Sequence, residues 1–173
     1  MRTAIINENP DYHSVGLLAL DFDGVLTDNA VYVDQNGTET VRCYRGDGIG
    51  IENLKSLGVA VAVISSESNP VVKARADKLG ILCVQAVKHK GIEIVKLCHQ
   101  VSVSPENTIF LGNDINDIPA FEVVGIPIGV ADSHPDIHAH VVRLTRRNGG
   151  VGAVRELCDE IYSAKVRNRR EAV

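Results

Sequence analysis

The chain has 173 residues, 45% of them hydrophobic, enough for one compact domain with a buried core and too few for two ordinary ones. Eighteen Lys and Arg against 22 Asp and Glu leave a formal charge of -4, so no overall basic field is available to hold nucleic acid or an anionic membrane. With 4% aromatics and no Trp there is little material for base stacking, and apolar runs such as Val59 to Ile64 fall far short of the roughly 18 residues that cross a bilayer.

The chain opens on a polar leader over 1–14, whose first residues, MRTAIINENPDY, carry no apolar signal core after Arg2. Secretion is not indicated, and the expectation is a cytoplasmic home. From residue 15 onward, apolar strand-like runs alternate with helix-like segments, the pattern of a parallel sheet with crossover helices. Strands are predicted at Val15–Phe22, Val59–Ile64, Ile81–Val84, Thr108–Leu111, Ile126–Val130 and Val141–Leu144. Most are unbroken in Val, Ile and Leu, as strands covered on both faces require. Between the first two, Ala30 to Tyr44 holds two β-branched and aromatic stretches around Asn36-Gly37, which reads as a hairpin flap over about 29–45, projecting past the first strand's carboxyl end.

Helix signals fill the gaps. Asp47 is placed to cap the segment containing Ile51, Leu54 and Leu57, which Gly58 stops; Asn69-Pro70 opens a second helix that Gly80 ends. Gly91–Gln100 and Gly152–Tyr162 carry apolar residues at helical spacing. The domain is expected over 15–163, followed by a polar, basic tail over 164–173 that reads as a frayed terminus. Cys43, Cys83, Cys98 and Cys158 are scattered without a CxxC pair, which suggests neither a zinc site nor a disulfide framework.

The chemistry concentrates at strand ends. LLALDF runs into Asp21-Phe22-Asp23-Gly24, setting two carboxylates at the carboxyl end of a central strand, where open α/β sheets bind ligands. Residues i and i+2 leave a strand on one face, so Asp21 and Asp23 can converge, and a hard divalent cation would relieve their repulsion. Gly24 would let the backbone bend so that successive N–H groups face an anion. A turn with solvated carboxylates gives the same string. After the next strand come Ser65 and Ser66, whose hydroxyls can donate to a phosphoryl oxygen or be plain loop serines. Lys88 and Lys90 offer a cation, and Gly112-Asn113-Asp114-Ile115-Asn116-Asp117 supplies a second acidic cluster after TIFLG.

DFDGVLTDN resembles the first motif of the haloacid dehalogenase superfamily, and the later motifs follow in order, each after a predicted strand. That resemblance implies a Rossmann-like, three-layer parallel sheet, an aspartate nucleophile and magnesium. It assigns Asp21 as nucleophile, Asp23 as general acid and base, Ser65 and Lys90 as phosphoryl-binding groups, and Asp117 as a group orienting Lys90 or a metal-bound water. The magnesium set it implies is Asp21, Asp23, Asn113 and Asp114. Here the sequence departs from the pattern, because Asn113 stands where the family usually has a metal-binding Asp, which should weaken magnesium.

The absent cap domain and the flap are similar to the capless branch that includes 3-deoxy-D-manno-octulosonate 8-phosphate phosphatase. The strings RGDG, SNPVV and GND are similar to the phosphatase-like domain attached to, or encoded beside, N-acylneuraminate cytidylyltransferases. The resemblance implies hydrolysis of a phosphorylated nonulosonic or ulosonic acid through an aspartyl-phosphate, in a homo-tetramer whose flaps roof the site. A catalytically weak module partnered with a cytidylyltransferase is the alternative that Asn113 favours. A phospho-acceptor regulator would use a similar aspartate, and Asp23, placed to speed hydrolysis, argues against it. Thr27, Ser66, Arg45 and Asp47 are candidates for substrate contact, the last two equally explained by a flap salt bridge or a helix cap. His134 matches a family loop near the site entrance or shapes the turn before Pro135, and Gly149-Gly150 reads as a tight turn.

Overall fold

A computed structural model describes residues 10–171, with side chains described through Arg167. Among the described residues, eight strands and five α-helices follow in order: β1 (Leu17–Leu20), β2 (Thr27–Val33), β3 (Glu39–Cys43), α1 (Gly46–Ser56), β4 (Ala60–Ile64), α2 (Val71–Leu79), β5 (Leu82–Val84), α3 (Lys90–Val101), β6 (Thr108–Gly112), α4 (Ile118–Phe121), β7 (Ile126–Gly129), β8 (Arg143–Leu144) and α5 (Ala153–Glu171). Six strands form one parallel sheet in the order β5-β4-β1-β6-β7-β8. The chain builds outward from β1 to β4 and β5, then crosses back to place β6 on the other side of β1. The crevice between the carboxyl ends of β1 and β6 is therefore the topological switch point of the sheet.

Alternation along each strand sorts the core into two layers. Leu18 and Leu20 of β1, with Val61, Val63, Ile109 and Leu111, face Ile51 and Leu54 of α1, Val72 of α2 and Val154, Leu157 and Ile161 of α5. Leu17, Ala19, Ala62, Ile64 and Phe110 face Ile94 and Leu97 of α3 and Ala120 and Phe121 of α4. Phe110 and Phe121 meet edge to face, their centroids 5.5 Å apart. This is the three-layer α/β architecture expected. Among the described residues no helix is long and apolar enough to cross a membrane.

The α2 boundaries follow their sequence signals. Asn69 Oδ1 accepts from the N–H of Val71 at 3.1 Å, and Gly80 closes the helix in the left-handed region. The hairpin stands where expected, although its turn spans Asp34 to Thr38. Asp34 Oδ1 accepts from the N–H groups of Asn36 and Thr38 at 2.8 and 2.9 Å. Most of the leader lies outside the described residues. Residues 164–171 continue α5 instead of standing apart from it as a tail, and buried Ala164 adds to the helix's apolar stripe. Residues 172–173 lie outside the described residues.

Asp47 departs from its expected place. It lies inside α1, fully buried, and caps no part of that helix. Its Oδ1 accepts from the N–H of Arg155 at 3.1 Å in the first turn of α5, while its Oδ2 has no partner. It tethers two helices and is closed off from any substrate. Burial pushes its pKa from the ordinary 3.8 up to about 7, against the pull of the Arg155 N–H bond and of Arg75. Between those two values the folded protein keeps a proton that the unfolded chain gives up, so stability falls as pH rises through this window. Asp47→Asn cannot ionise and keeps the acceptor. In thermal or urea unfolding its stability relative to wild type should grow by about 1.4 kcal/mol per pH unit up to about pH 7 and level off above. A pH-independent difference would show that Asp47 does not titrate in the folded protein.

Candidate active site

Asp21 begins where β1 ends, and its own N–H still donates to Leu111 of β6 at 2.9 Å, so it enters the crevice in sheet register. Beyond it the chain folds tightly around the Phe22 carbonyl, which accepts from the N–H groups of Val25, Leu26 and Thr27. Gly24 makes the bend at φ +78, a conformation L side chains rarely adopt. Two of the N–H groups expected to face an anion are already bonded within this bend. Phe22 N–H donates to Asp21 Oδ1 at 2.7 Å, and Gly24 N–H donates to Thr27 Oγ1 at 3.1 Å. The loop is pinned from outside by Gly149-Gly150. A Cβ at Gly149 would fall 1.8 Å from the Gly24 carbonyl oxygen, and Gly150 N–H donates to Val25 O at 3.0 Å.

Lys90 is the first residue of α3 and is buried together with Asp21 and Asp117. Its Nζ lies 2.7 Å from Asp21 Oδ1 and 2.7 Å from Asp117 Oδ1. Lys88 is exposed, so geometry separates the two lysines that the sequence offered. Burial works against the Lys90 charge, yet the two carboxylates hold its pKa above the ordinary lysine value. One cation serves two buried anions, and the imbalance falls on Asp21, which burial and the Asp117 charge push up to about 7 against the pull of Lys90. Asp117 Oδ2 accepts from the N–H groups of Asn113 at 2.8 Å and Asp114 at 3.3 Å. Asp117 thus orients Lys90 and also belongs to the capping box of the turn after β6.

Asn113, buried just past β6, sets its amide against the Asp23 main-chain oxygen and Asp21 Oδ2. With its nitrogen toward them it donates to the first at 3.0 Å and to the second at 3.2 Å; turned the other way, it presents its oxygen beside them. In the oxygen-inward orientation the Asn113 amide, the Asp21 carboxylate and the Asp23 carbonyl offer three hard oxygen donors at one point, the donor type that Mg²⁺ takes. Among the described residues no group of three His, Cys, Asp or Glu side chains could hold a metal, because here only one donor is a carboxylate. Asp114 departs from expectation: its Oδ1 accepts from the N–H of Ile115 at 2.7 Å and caps the turn, outside the oxygen cluster.

Asp23 is half-buried, and its Oδ1 accepts from Thr27 Oγ1 at 3.4 Å. Burial, then the Glu67 charge, raises its pKa, with the Thr27 hydroxyl pulling the other way. A carboxyl held up in this way is suited to proton transfer. Ser65 follows β4, beside β1, and is buried; its Oγ accepts from the N–H of Glu67 at 3.1 Å, leaving the hydroxyl proton to donate. Of the four substrate candidates, Ser66 is exposed and accepts from Asn116 Nδ2 at 3.5 Å, and Arg45 is exposed at the start of α1. Thr27 is fully buried and braces the Asp23 loop, so with Asp47 it is corrected to a structural role. His134 shapes its turn: Nδ1 accepts from the N–H of Asp136, and its own N–H donates to Asn113 O at 2.8 Å.

Two contributors went unread in the sequence. Glu67 acts on Asp23 through space and Asp132 Oδ1 accepts from Gly149 N–H at 2.9 Å. An acid two residues before Asn69-Pro70 is a legible cap signal for Glu67, whose Oε1 accepts from the N–H groups of Ser68 and Asn69; nothing local marks Asp132. A groove of about 1030 Å³ runs along α5 and contains none of these residues. Three of its arginines are already paired, Arg143 with Glu160, Arg146 with Glu156 and Glu160, and Arg155 with Asp159, so its charge is largely spent internally.

Comparison with known proteins agrees with this geometry. The family profile of the haloacid dehalogenase-like hydrolases matches residues 81–157. The 3-deoxy-D-manno-octulosonate 8-phosphate phosphatase KdsC of Escherichia coli K12 is 37% identical over 153 residues, covering 88% of this chain and 81% of that protein. The crystal structure of the phosphatase of that name from Yersinia pestis superposes with a TM-score of 0.87 at 33% identity, covering 91% of this chain and 85% of its own. The Moraxella catarrhalis phosphatase, in complex with a magnesium ion, a phosphate ion and KDO, superposes with a TM-score of 0.87 at 31% identity over 94% of both chains. The chain belongs to the haloacid dehalogenase-like hydrolases, in the branch of these octulosonate 8-phosphate phosphatases.

Proposed function

We propose that the protein is a magnesium-dependent phosphomonoesterase acting on a phosphorylated ulosonic or nonulosonic acid. The observation that carries this reading is the buried Lys90 bridging Asp21 and Asp117 where β1 and β6 end. The relatives' names support the substrate class, and 37% identity over 88% of the chain supports carrying it over. Four free cysteines agree with a reducing compartment such as the cytoplasm.

Asp21, Asp23 through its main-chain oxygen, and Asn113 through its amide oxygen would hold the ion, which supplies charge neutralisation to phosphoryl oxygens. The Asp21 carboxylate attacks phosphorus, forming the Asp21–phosphate bond as the phosphorus–sugar oxygen bond breaks. Asp23, its pKa raised by burial and by Glu67, gives its proton to the departing sugar oxygen. It then takes a proton from the water that attacks the aspartyl-phosphate, releasing phosphate and restoring Asp21. Lys90 holds Asp21 in line and offsets phosphoryl charge, and Ser65 donates its hydroxyl to a phosphoryl oxygen.

The hairpin carries Val31, Tyr32 and Val33 exposed in succession, 55 to 63% accessible, on a two-stranded sheet with open edges. Such a surface is favourable to cover, and we assign it to a homo-tetramer in which neighbouring flaps roof the site and supply the substrate contacts that Thr27 and Asp47 do not. A second reading, a weak module partnered with an N-acylneuraminate cytidylyltransferase, draws on the missing charge at Asn113.

With Mg²⁺ and a panel of sugar phosphates, wild type should release phosphate from a ulosonic or nonulosonic acid phosphate in preference to simple hexose phosphates. Release no greater than from Asp21→Asn would end the enzyme reading and leave the partner-module one. Lys90→Met should cut kcat/KM by at least about 100-fold and lower stability by about 3–5 kcal/mol, because two carboxylates lose their buried partner. Adding Asp117→Asn to that variant should recover stability without recovering turnover, and joint recovery would show that Lys90 acts only as a structural cation. Light scattering should report a tetramer that Tyr32→Asp dissociates; a monomeric wild type would exclude the shared roof.

A further inference from the structure

The side chain at 113 has two uses in one place, and the surroundings separate them. Its backbone is fixed on both sides: the N–H donates to Asp117 Oδ2 at 2.8 Å and the carbonyl accepts from His134 N–H at 2.8 Å. The amide is what remains free to turn. Space for it comes from Gly24, where a Cβ would fall 2.1 Å from Asn113 Nδ2. With the oxygen inward, the amide meets two acceptors and requires a cation. After a half-turn the nitrogen donates to Asp23 O at 3.0 Å and to Asp21 Oδ2 at 3.2 Å, and both mismatches vanish without any ion.

We propose that Asn113 is a two-position latch on the cation site. Nitrogen inward, its amide satisfies Asp21 and Asp23 and keeps the metal-free site ordered; oxygen inward, it completes the ligand set. The proposal rests on the cation-dependent reading of the site and adds to it a reason for an amide at this position. A carboxylate there can only accept, so in the metal-free protein it would leave Asp21 Oδ2 and the Asp23 carbonyl facing another oxygen, next to a cluster where one lysine already serves two acids. The amide exchanges cation affinity for a metal-free state that holds its shape. Cation binding must break two hydrogen bonds before it gains a ligand, so occupancy follows cation concentration over a higher range than for an aspartate site.

The test compares wild type, Asn113→Asp and Asn113→Ala by thermal unfolding in EDTA and by Mg²⁺ titration followed by calorimetry, with no substrate present. In EDTA near neutral pH both variants should melt several degrees below wild type, the first from crowded oxygens and the second from lost donors. On Mg²⁺ addition, Asn113→Asp should bind at least about tenfold more tightly than wild type and Asn113→Ala more weakly. Should Asn113→Asp be unfolded in EDTA, recovery of a cooperative transition on adding Mg²⁺ reads the same effect. Equal melting of wild type and Asn113→Ala in EDTA would overturn the nitrogen-inward position. Unchanged Mg²⁺ affinity in Asn113→Asp would overturn the oxygen-inward one. If no variant binds Mg²⁺, both the latch and the cation-dependent reading fail; if Mg²⁺ binds as described but no sugar phosphate is hydrolysed, only the substrate reading fails.

Discussion

Lys90 brings one positive charge into a volume that also holds Asp21 and Asp117, each drawn from a different segment of the chain. None of the three tolerates burial alone, and each therefore constrains the others. Asp21 cannot shift without opening β1 against β6, since its N–H is still in the sheet. Lys90 fixes the first turn of α3, and Asp117 fixes the turn after β6 through its bonds to the Asn113 and Asp114 N–H groups. Stability by itself favours apolar residues at such a junction. The proposed phosphoryl transfer accounts for the charge being kept, because it needs a carboxylate and an ammonium already held in place before the substrate arrives.

The sheet order makes this junction possible. β1 and β6 are neighbours in space although 87 residues separate the end of β1 from the start of β6, and the crossover between them swings α3 to the opposite face from α1, α2 and α5. The DxDG loop is kept tight by Thr27 from within and by Gly149-Gly150 from without. A loop held on both sides can present the Asp23 carbonyl at a fixed point, which is what an ion with strict geometry requires.

Those features of the fold that depend on local patterning were legible in the sequence. Apolar runs, most of them unbroken in Val, Ile and Leu, mark all six sheet strands, and Asn69-Pro70 with Gly80 delimit α2 because caps are short-range chemistry. Asp21, Lys90, Asn113 and Asp117 meet as the ordered motifs implied, since each sits one or a few residues beyond a strand whose neighbours are set by topology. Asp47 and Thr27 were misplaced for one reason: a polar residue next to a loop looks the same whether it faces solvent or a packed helix, and only tertiary contacts decide. Asp114 looked like a ligand because acidity is visible in a sequence and side-chain direction is not; the capping geometry turned it away. Asp132 carries no local pattern, as its partner Gly149 lies 17 residues away.

The machinery and the surface of this protein differ in kind. Groups proposed to act on phosphorus are buried and bonded to the sheet, so their positions are set by the same contacts that stabilise the fold. The outer part of the hairpin is held more loosely: most of its residues are exposed and its strands pair only with each other, while Thr27, Val41 and Cys43 at its base pack on the core. Substitutions at the exposed Val31, Tyr32 and Val33 thus act on what covers the site with little effect on the Lys90 junction, whereas substitutions at the junction reach stability and chemistry together. On the proposed function, selectivity among sugar phosphates belongs to the flap and what packs on it, because discrimination between such substrates depends on groups distant from phosphorus.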